Sequence, residues 1–257
     1  MSGYNAFANV YDKLTDNIEY KKRADYISAL FERYGVKGKE PILDLACGTG
    51  SLTVELAKRG FDMIGIDSAY SMLSQAQNKK YTENVDVLFL CQDMTELDLY
   101  GTISGAVCML DSLNHLECAA DVKTTIEKVA LFMEHDGIFI FDVNTIYKHR
   151  NILANNTFVY DCDDVYCVWQ NELNDDNSVD ISLDIFEFED GVYYRSSEEF
   201  KEKAYEISDY EKWLRDADFE ILNIYDEMSD RKLNEETQRA VFVARYKGYK
   251  TEEQKDG

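Results

Sequence analysis

The sequence predicts an α/β protein whose main sheet is mostly parallel and carries a smaller antiparallel sheet. Between residues 41 and 145, short apolar runs alternate with segments of helical spacing, and several of these runs end at an acidic residue. From about residue 146 to 207 the pattern changes to longer segments in which apolar and polar residues alternate. Strands that alternate with helices indicate a parallel sheet, whereas alternating segments joined by short turns indicate antiparallel pairing.

Residues 41–60, PILDLACGTGSLTVELAKRG, predict a strand, a glycine turn and a helix. The strand is a short apolar run that Asp44 interrupts, as expected for a buried parallel strand. Gly48 and Gly50 lack a Cβ, so they can adopt positive φ and let the backbone approach a ligand closely. The following helix presents its unpaired N–H groups to the same place. The next run, FDMIGID, predicts a second strand that ends at Asp67.

This pattern differs from the dinucleotide-binding fingerprint G-x-G-x-x-G. Thr53 occupies the third glycine position of that fingerprint, which allows close packing of the helix on the strand. The chain has instead Asp-x-Ala-x-Gly-x-Gly, followed by Asp67 at the end of the second strand. Such a site suits a ligand with a ribose, an adenine and a charged amino-acid tail better than a pyrophosphate. The alternative is an ordinary strand–helix turn that binds no ligand.

DLACGTG at residues 44–50 resembles the glycine motif of the class I S-adenosylmethionine-dependent methyltransferases. Ala46 replaces the first glycine of that motif and Ser51 the last, and both residues are small enough to keep the turn. The resemblance implies a Rossmann-like sheet of seven strands with helices on both faces, and S-adenosylmethionine as the cofactor. It also implies a small antiparallel β lid over the acceptor pocket, as in related small bacterial enzymes.

The resemblance also implies cofactor-binding roles for residues at the ends of successive strands. Asp67 would accept hydrogen bonds from both ribose hydroxyls, and Asp93 would accept a hydrogen bond from the adenine amino group. Met72 would lie against the adenine ring, and Met94 would offer its backbone N–H. The alternative for each acidic residue is a helix cap or a turn former. The predicted cofactor-binding residues are Tyr11, Asp44, Ala46, Gly48, Gly50, Asp67, Ser68, Met72, Asp93, Met94 and Asp111.

Tyr11, Asn114 and His115 are the candidate catalytic residues. The fourth predicted strand, 103–110, leads into DSLNHL at 111–116, and in the resembling family this junction faces the acceptor. His115 is the best available base, and simple loop polarity is the alternative for both polar residues.

Tyr11 belongs to GYNAFANVYDKL, where Tyr4 and Phe7 precede it at helical spacing. This stretch resembles the opening of many small bacterial methyltransferases, which implies a flap with Tyr11 near the sulfonium. The alternative is a short amphipathic helix packed on the core.

The predicted organisation has five parts. These are an N-terminal helical flap (1–40), a cofactor-binding core (41–145), an antiparallel β lid insertion (146–207), a return to the core (208–250) and a charged tail (251–257). A helix with apolar residues from Val122 to Met133 precedes a fifth strand at 138–143. A capping box at Ser208 and Glu211 opens a helix that ends near Asp218. The remaining predicted strands are 157–160, 166–173, 179–189, 192–205, 219–225 and 240–246.

The predicted lid strands are rich in aromatic residues, and alternation directs only some of them toward the core. We expect that face to form the roof of the acceptor pocket. The lid aromatics are Tyr160, Tyr166, Trp169, Phe186, Phe188, Tyr193 and Tyr194. Asp161, Asp163 and Asp164 could bind a metal ion, but without a neighbouring histidine a solvated turn is preferred, and no metal site is predicted.

The composition limits the possible partners. The chain has 257 residues and a formal net charge of −23, and nucleic acid is an unexpected partner because its binding needs Lys and Arg to displace counterions. The basic cluster at residues 21–23 is interpreted as a solvated helix face. No apolar stretch reaches the roughly 18 to 20 residues that span a bilayer. We therefore expect a cytoplasmic monomer or homodimer with no membrane contact, and six scattered cysteines in the reduced state.

The predicted function is transfer of a methyl group from S-adenosylmethionine to a small-molecule acceptor through a nitrogen, oxygen or carbon nucleophile, by in-line displacement. Because the sulfonium is already an activated leaving group, orientation and exclusion of water can supply most of the catalysis. One alternative is a methyltransferase that acts on RNA or protein. The other is a module that binds the cofactor without turnover.

Overall fold

The computed structural model describes residues 4–15, 18–36 and 41–248, without the side chains of residues 4–7 and 9. The predicted roles of Tyr4 and Phe7, and the predicted tail at 251–257, lie outside this description. The strands are β1 (Ile42–Leu45), β2 (Met63–Asp67), β3 (Val87–Cys91), β4 (Ile103–Cys108), β5 (Met133–Asn144), β6 (Thr157–Cys162), β7 (Val165–Leu173), β8 (Ser178–Glu189), β9 (Val192–Lys203), β10 (Phe219–Asp226) and β11 (Arg239–Tyr246). The helices are α1 (Tyr4–Leu14), α2 (Tyr20–Tyr34), α3 (Ser51–Lys58), α4 (Tyr70–Glu83), α5 (Ala119–Phe132), the short α6 (Ile146–Lys148) and α7 (Ile207–Asp216).

Seven strands form the main sheet in the order β10-β11-β5-β4-β1-β2-β3. The five strands β1 to β5 are parallel to one another. The strand β11 pairs antiparallel with both β5 and β10. This confirms the predicted Rossmann-like sheet of seven strands. Because β1, β2, β4 and β5 run the same way, their carboxyl ends meet along one edge, where open α/β sheets bind ligands.

Helices cover both faces of this sheet, as predicted. On one face, Val122 and Ile126 of α5 and Leu214 of α7 belong to one apolar cluster with Leu43 and Leu45 of β1. The other face carries α2, α3 and α4, whose contacts with the sheet include Phe31, Leu56 and Leu73. Side chains of β1 therefore alternate between two apolar layers, which explains why its sequence is apolar almost throughout.

The predicted lid is a separate antiparallel sheet in the order β6-β7-β8-β9. Its inner face has its own apolar cluster, in which Val10 of α1 contacts residues such as Val165, Ile181 and Ile185. Asp164 in the turn between β6 and β7 pairs with Lys13 of α1, with 2.7 Å between Lys13 Nζ and Asp164 Oδ2. The N-terminal helix is therefore packed against the lid.

Two predicted element boundaries are wrong. The helix expected to include Met133 ends at Phe132, and β5 starts at Met133, five residues before its predicted start. Met133 pairs with Ile103 and belongs to the same apolar cluster as α5, so the helical spacing continues by coincidence into a strand. The capping box is also misplaced, since α7 begins at Ile207 and the backbone N–H of Glu206 donates to Asp209 Oδ2 at 3.2 Å.

The chain leaves α7 through a strained residue. Asp218 adopts a left-handed conformation with φ 62°, a position where glycine would be unstrained. No helix in residues 4–15, 18–36 and 41–248 is both long and apolar enough to cross a membrane. All six cysteines carry free thiols.

Candidate active site

A cavity of about 630 Å³ lies between the carboxyl ends of β1, β2, β4 and β5, the helix α1 and the lid sheet. Ten of the predicted site residues line it, namely Tyr11, Asp44, Ala46, Gly48, Asp67, Ser68, Met72, Met94, Asp111 and His115. Gly50, Asp93 and Asn114 are not among the residues that line it. The fold therefore brings together residues that are more than 100 positions apart in the sequence.

The two glycines of the turn after β1 serve different purposes. Gly48 has φ 55°, and a Cβ added there would meet no atom within 4 Å, so its backbone faces open space. Gly50 has φ 74°, and a Cβ added there would lie 2.8 Å from the Cβ of Ala76 in α4. The expectation that Gly50 lets a ligand approach is therefore corrected, because Gly50 allows close packing of the turn on α4. Ala46 has φ 52°, a strained value for a residue with a Cβ.

Asp67 is fixed at the end of β2 by two backbone donors. Its Oδ2 accepts the N–H of Gly48 and its Oδ1 accepts the N–H of Ala69, both at 2.8 Å. Burial raises the pKa of Asp67, and the two hydrogen bonds oppose that rise. Each carboxylate oxygen keeps a second lone pair for a donor in the cavity.

Asp44 lies deeper, on β1, and is 2% exposed. Thr53 Oγ1 donates to Asp44 Oδ2 at 2.6 Å. Burial raises the pKa of Asp44 to about 7; the hydrogen bond from Thr53 lowers it, and the charge of Asp67 adds to the rise. The residue at the third glycine position of the dinucleotide fingerprint is thus the hydrogen-bond partner of this carboxyl.

Asp93 is exposed and acts as the cap of the short 3₁₀ turn Met94–Glu96. Its Oδ1 accepts hydrogen bonds from the backbone N–H of Thr95 at 2.8 Å and from Thr95 Oγ1 at 2.7 Å. Asp93 therefore has the capping role that was the alternative to binding the adenine amino group. Only Oδ2 is left for a ligand, at the rim beside Met94, which does line the cavity.

The N-terminal helix is fastened to the glycine turn. Asp12 of α1 accepts hydrogen bonds from Thr49 Oγ1 at 2.7 Å and from Ser51 Oγ at 3.2 Å. Its other oxygen pairs with Lys79 of α4 at 2.5 Å. Ser51, which replaces the last glycine of the motif, therefore bonds to the flap. Burial raises the pKa of the neighbouring Tyr11 well above its ordinary value, so its phenol stays neutral.

A network of buried charges lies below the end of β4. Arg239 of β11 pairs with Asp111 Oδ1 at 2.6 Å and with Asp142 Oδ1 at 2.7 Å. Arg23 of α2 contacts Asp142 Oδ2 at 3.2 Å. Although burial alone would raise the pKa of Asp111, Arg239, Lys148 and His115 hold it well below its usual range. Arg23 is only 5% exposed and lines the cavity, so its interpretation as part of a solvated helix face is wrong.

Asn114 is fully buried in the short turn Ser112–His115. Its amide nitrogen donates to the carbonyl oxygens of Asn144 and Lys203, and its Oδ1 accepts the N–H of Asn144 at 2.9 Å. The structure therefore corrects the expectation that Asn114 lies nearest the chemistry. Asn114 joins β5 to the end of lid strand β9.

His115, by contrast, lines the cavity with its side chain 38% exposed. Its ring packs on Phe200, with the ring centroids 5.2 Å apart. Glu202 of β9 places Oε1 3.7 Å from His115 Nε2, and Asn144 Nδ2 donates to Glu202 Oε2 at 2.9 Å. The ligand-capable atoms of Asp111, His115 and Glu202 all lie within 4.8 Å of one another.

Comparison with known proteins places the chain in a family. Residues 42–137 match the family described as a methyltransferase domain. A protein of Geobacillus sp. (strain WCH70) that is named as a methyltransferase is 34% identical over 244 residues, which are 94% of this chain and 99% of that one. A crystal structure of an S-adenosylmethionine-dependent methyltransferase from Clostridium acetobutylicum ATCC 824 has 34% identity and a TM-score of 0.87, covering 95% of this chain and 99% of that one.

The chain belongs to the class I S-adenosylmethionine-dependent methyltransferases. A more distant relative of this methyltransferase is the glycine/sarcosine/dimethylglycine N-methyltransferase of Actinopolyspora halophila. It is 26% identical over 254 residues, covering 95% of this chain and 42% of that one.

The residues of the cavity fit S-adenosylmethionine. Gly48 presents open backbone to the cavity, Asp67 retains free lone pairs, and Met72 and Met94 supply an apolar wall. Arg23 Nε is buried and has no hydrogen-bond partner among the described residues. The methyltransferase thus offers hydroxyl-, ring- and carboxylate-binding groups along one cavity, as a nucleoside with an amino-acid tail requires.

Several residues of the site were missed by sequence reasoning. Glu202 comes from the lid, Arg239 from the last strand and Lys148 from the segment after β5. Of the predicted lid aromatics, Tyr160 and Trp169 line the cavity, whereas Tyr166, Phe188, Tyr193 and Tyr194 are exposed. Strand alternation separates these sets, but the sequence does not show which face meets the core.

Proposed function

We propose that this methyltransferase transfers the methyl group to the nitrogen of a small amine that is held under the lid. The observation that best supports this proposal is that one cavity extends from Asp67 at the end of β2 to Glu202 and Phe200 on the lid strand β9. Its volume of about 630 Å³ lies within the range of roughly 300 to 1,000 Å³ of small-molecule sites.

The half of the cavity beside the glycine turn is proposed to hold the cofactor. Asp67 accepts hydrogen bonds from the ribose hydroxyls, and Met72 and Met94 contact the adenine. Asp93 accepts a hydrogen bond from the adenine amino group through Oδ2. Ser68, Ala46 and Gly48 form the adjoining wall. S-adenosylmethionine supplies a methyl carbon on a positively charged sulfur, and the carbon–sulfur bond breaks as the lone pair of the acceptor attacks.

Tyr11 is proposed to lie beside the sulfonium. Its phenol is neutral, and the face of a neutral aromatic ring attracts a cation within about 6 Å. The helix that carries Tyr11 is bound to the glycine turn through Asp12 and to the lid through Lys13. This arrangement excludes water from the reacting groups, which is the main contribution that a methyltransferase needs from its protein.

The other half of the cavity supports an amine as the acceptor. Glu202 Oε1 lies 3.7 Å from His115 Nε2, and the aromatic side chains of Tyr160, Trp169 and Phe200 line the same cavity. Carboxylates and aromatic rings both favour a cationic amine. The names of relatives agree with this choice, since one is a glycine/sarcosine/dimethylglycine N-methyltransferase and another is an amino-sugar N,N-dimethyltransferase of Streptomyces fradiae.

The experiment is methyl transfer from S-adenosylmethionine labelled with tritium in its methyl group. The panel contains small primary and secondary amines, amino acids and amino sugars, the matching alcohols, total RNA and unfolded protein. We expect label in one class of small amine, with one S-adenosylhomocysteine formed for each methyl group transferred. Label confined to RNA, protein or alcohols would contradict the proposal, and so would cofactor binding without transfer to any member of the panel.

A further inference from the structure

Two of the three histidines in the chain flank one buried carboxylate. His115 Nε2 lies 3.7 Å from Glu202 Oε1, and His149 Nε2 lies 3.5 Å from Glu202 Oε2. His115 borders the cavity, whereas Glu202 is 2% exposed and His149 is fully buried. The carboxylate therefore joins a histidine at the cavity wall to a histidine in the interior.

The hydrogen positions of His149 follow from its partners. Nδ1 lies 2.8 Å from the carbonyl oxygen of Asn177, and because a carbonyl oxygen only accepts, Nδ1 carries a hydrogen. Nε2 is buried and has no hydrogen-bond partner among the described residues. The second ring nitrogen of this interior histidine is therefore directed at Glu202 Oε2, 3.5 Å away.

We propose that His115, Glu202 and His149 form a proton relay, in which His115 carries the proton of the acceptor amine to water while Glu202 and His149 hold His115 in place. This inference rests on the proposed function. An N–H bond of the acceptor ammonium breaks and an N–H bond to His115 forms, which frees the nitrogen lone pair for attack. His115 later returns this proton to water. Glu202 and His149 are positioning residues, since they act on the acceptor only through His115.

The relay needs one protonated and one bare ring nitrogen on His115. Because Nε2 is the ring nitrogen that lies 3.7 Å from Glu202 Oε1, the proposal places the hydrogen on Nε2 and leaves Nδ1 to take the proton. The negative charge of Glu202 then stabilises the imidazolium that forms, as a buried carboxylate does for the histidine of hydrolase triads. Asn144 Nδ2 holds the second oxygen of Glu202 and so fixes the orientation of the carboxylate.

A metal ion at Asp111, His115 and Glu202 is the competing interpretation. The cations already present argue against it, because Arg239 pairs with Asp111 and Lys148 borders the same cavity beside Asn144. Glu202 also belongs to the lid, and Asn114 ties Lys203, the next residue, to the core. The relay is therefore assembled only when β9 is docked on the main sheet, which couples proton removal to a closed cavity.

The first test needs no acceptor. In ¹⁵N-labelled protein, we expect Glu202→Gln to shift the ring nitrogen resonances of His115 and His149 and to leave those of His135 in place. His135 is an internal control because it lies near the start of β5, where its Nδ1 contacts the carbonyl oxygen of Gly248 at 2.9 Å. Glu198→Gln is the matched variant, since Glu198 is also buried on β9, on the same side of the strand, and does not line the cavity. Unchanged His115 and His149 resonances in Glu202→Gln would overturn the relay.

The second test uses the amine that accepts the labelled methyl group. We expect Glu202→Gln to lower kcat by about 100-fold, less than the roughly 10⁴-fold lost when the orienting carboxylate of a hydrolase triad is replaced, with the Kd for S-adenosylmethionine changed less than twofold. Glu198→Gln should keep the parent kcat, and imidazole in the buffer should restore part of the activity of His115→Ala. Equal kcat values for the two Gln variants would overturn the relay, as would activity that EDTA abolishes and a divalent cation restores. If the parent methylates no amine, the proposed function fails while the resonances still decide the proton arrangement.

Discussion

Thr53 Oγ1 donates a hydrogen bond of 2.6 Å to Asp44 Oδ2, and both groups are buried between β1 and α3. A glycine at position 53 would leave this carboxyl without its side-chain donor. Thr53, the residue that distinguishes this motif from the dinucleotide-binding fingerprint, therefore stabilises the buried carboxyl of Asp44. It holds the strand-end carboxyl in place against the cost of burial.

Thr53→Val should destabilise the protein more at pH 8 than at pH 5.5. Asp44 has a folded pKa of about 7, above its unfolded pKa of roughly 3.9. Its contribution to stability is therefore full below the unfolded pKa and is lost as the pH rises through the folded pKa. The hydrogen bond favours the ionised form, so we expect a loss of about 1.5 to 3 kcal/mol at pH 8 and less at pH 5.5.

Urea unfolding of the cofactor-free protein at both pH values measures this loss. The matched control is Thr125→Val, because Thr125 is fully buried and its hydroxyl has no partner among the described residues. That variant should be neutral or slightly stabilised at either pH. A pH-independent loss in Thr53→Val would show that Asp44 does not titrate between these two pH values.

Asp67→Ala should weaken the binding of S-adenosylmethionine by about 1.5 to 3 kcal/mol, the usual loss for hydrogen bonds to a charged group. The change removes the proposed acceptor of the ribose hydroxyls and the anchor of the Gly48 N–H. Isothermal titration calorimetry measures the affinity. Asp62→Ala, an exposed position just before β2, should bind as the parent does. Unchanged affinity in Asp67→Ala, or tighter binding of NAD than of S-adenosylmethionine, would contradict this role.

Asp93→Asn should preserve the fold and relax discrimination against an inosine analogue of the cofactor. The Asn side chain keeps an oxygen for the two hydrogen bonds from Thr95, so the 3₁₀ turn stays capped. Its amide offers a donor where the carboxylate only accepts. We expect the ratio of the affinity for S-adenosylmethionine to that for the inosine analogue to fall by about tenfold, which corresponds to the loss of one hydrogen bond. If the ratio is unchanged, Asp93 serves only as a cap.

Ala46→Gly should stabilise the protein by about 0.5 to 1 kcal/mol. A residue with a Cβ in the left-handed conformation is strained by about 1 to 2 kcal/mol, and glycine removes this strain. The greater freedom of glycine in the unfolded chain opposes the gain by about 0.4 to 1 kcal/mol. Ala46 has φ 52° at the position where the family motif has its first glycine. The matched control is Ala57→Gly inside α3, which should lose about 1 kcal/mol. Urea unfolding of both variants gives the sign, and a loss in Ala46→Gly would show that the turn is not strained.

The cofactor half of the site could be predicted from the sequence because its residues lie on consecutive βα units. The end of each parallel strand reaches the same edge, so Asp44, Gly48 and Asp67 are placed by local pattern alone. Other details of the turn were less predictable. An alanine at position 46 does not indicate a left-handed backbone, and the close packing at Gly50 depends on Ala76 of α4.

The acceptor half could not be predicted in the same way. Glu202 and His149 meet His115 only because the lid docks on the core, and no spacing in the sequence signals that contact. Arg23 looked like part of a solvated run because its buried partner, Asp142, is far away in the chain. Asn114 and His115 were indistinguishable as neighbours in one loop, yet the 3₁₀ turn buries the first and leaves the second at the cavity.

Trp169→Ala should raise KM for the acceptor while leaving cofactor binding unchanged. Trp169 lies on the cavity side of β7, where its indole nitrogen donates to Asn171 Oδ1 at 2.5 Å and its ring is 6.2 Å from that of Tyr160. Tyr166 is three residues earlier on the same strand, so it faces the opposite side and is 38% exposed. Loss of the indole removes apolar contact area worth about 1.5 to 3 kcal/mol, which corresponds to a 10- to 100-fold higher KM. Tyr166→Ala, the matched control, should keep the parent KM, and the Kd for S-adenosylmethionine should be the same in all three proteins. Equal effects of the two substitutions would mean that the lid acts as a whole on stability and that the acceptor is selected beside His115.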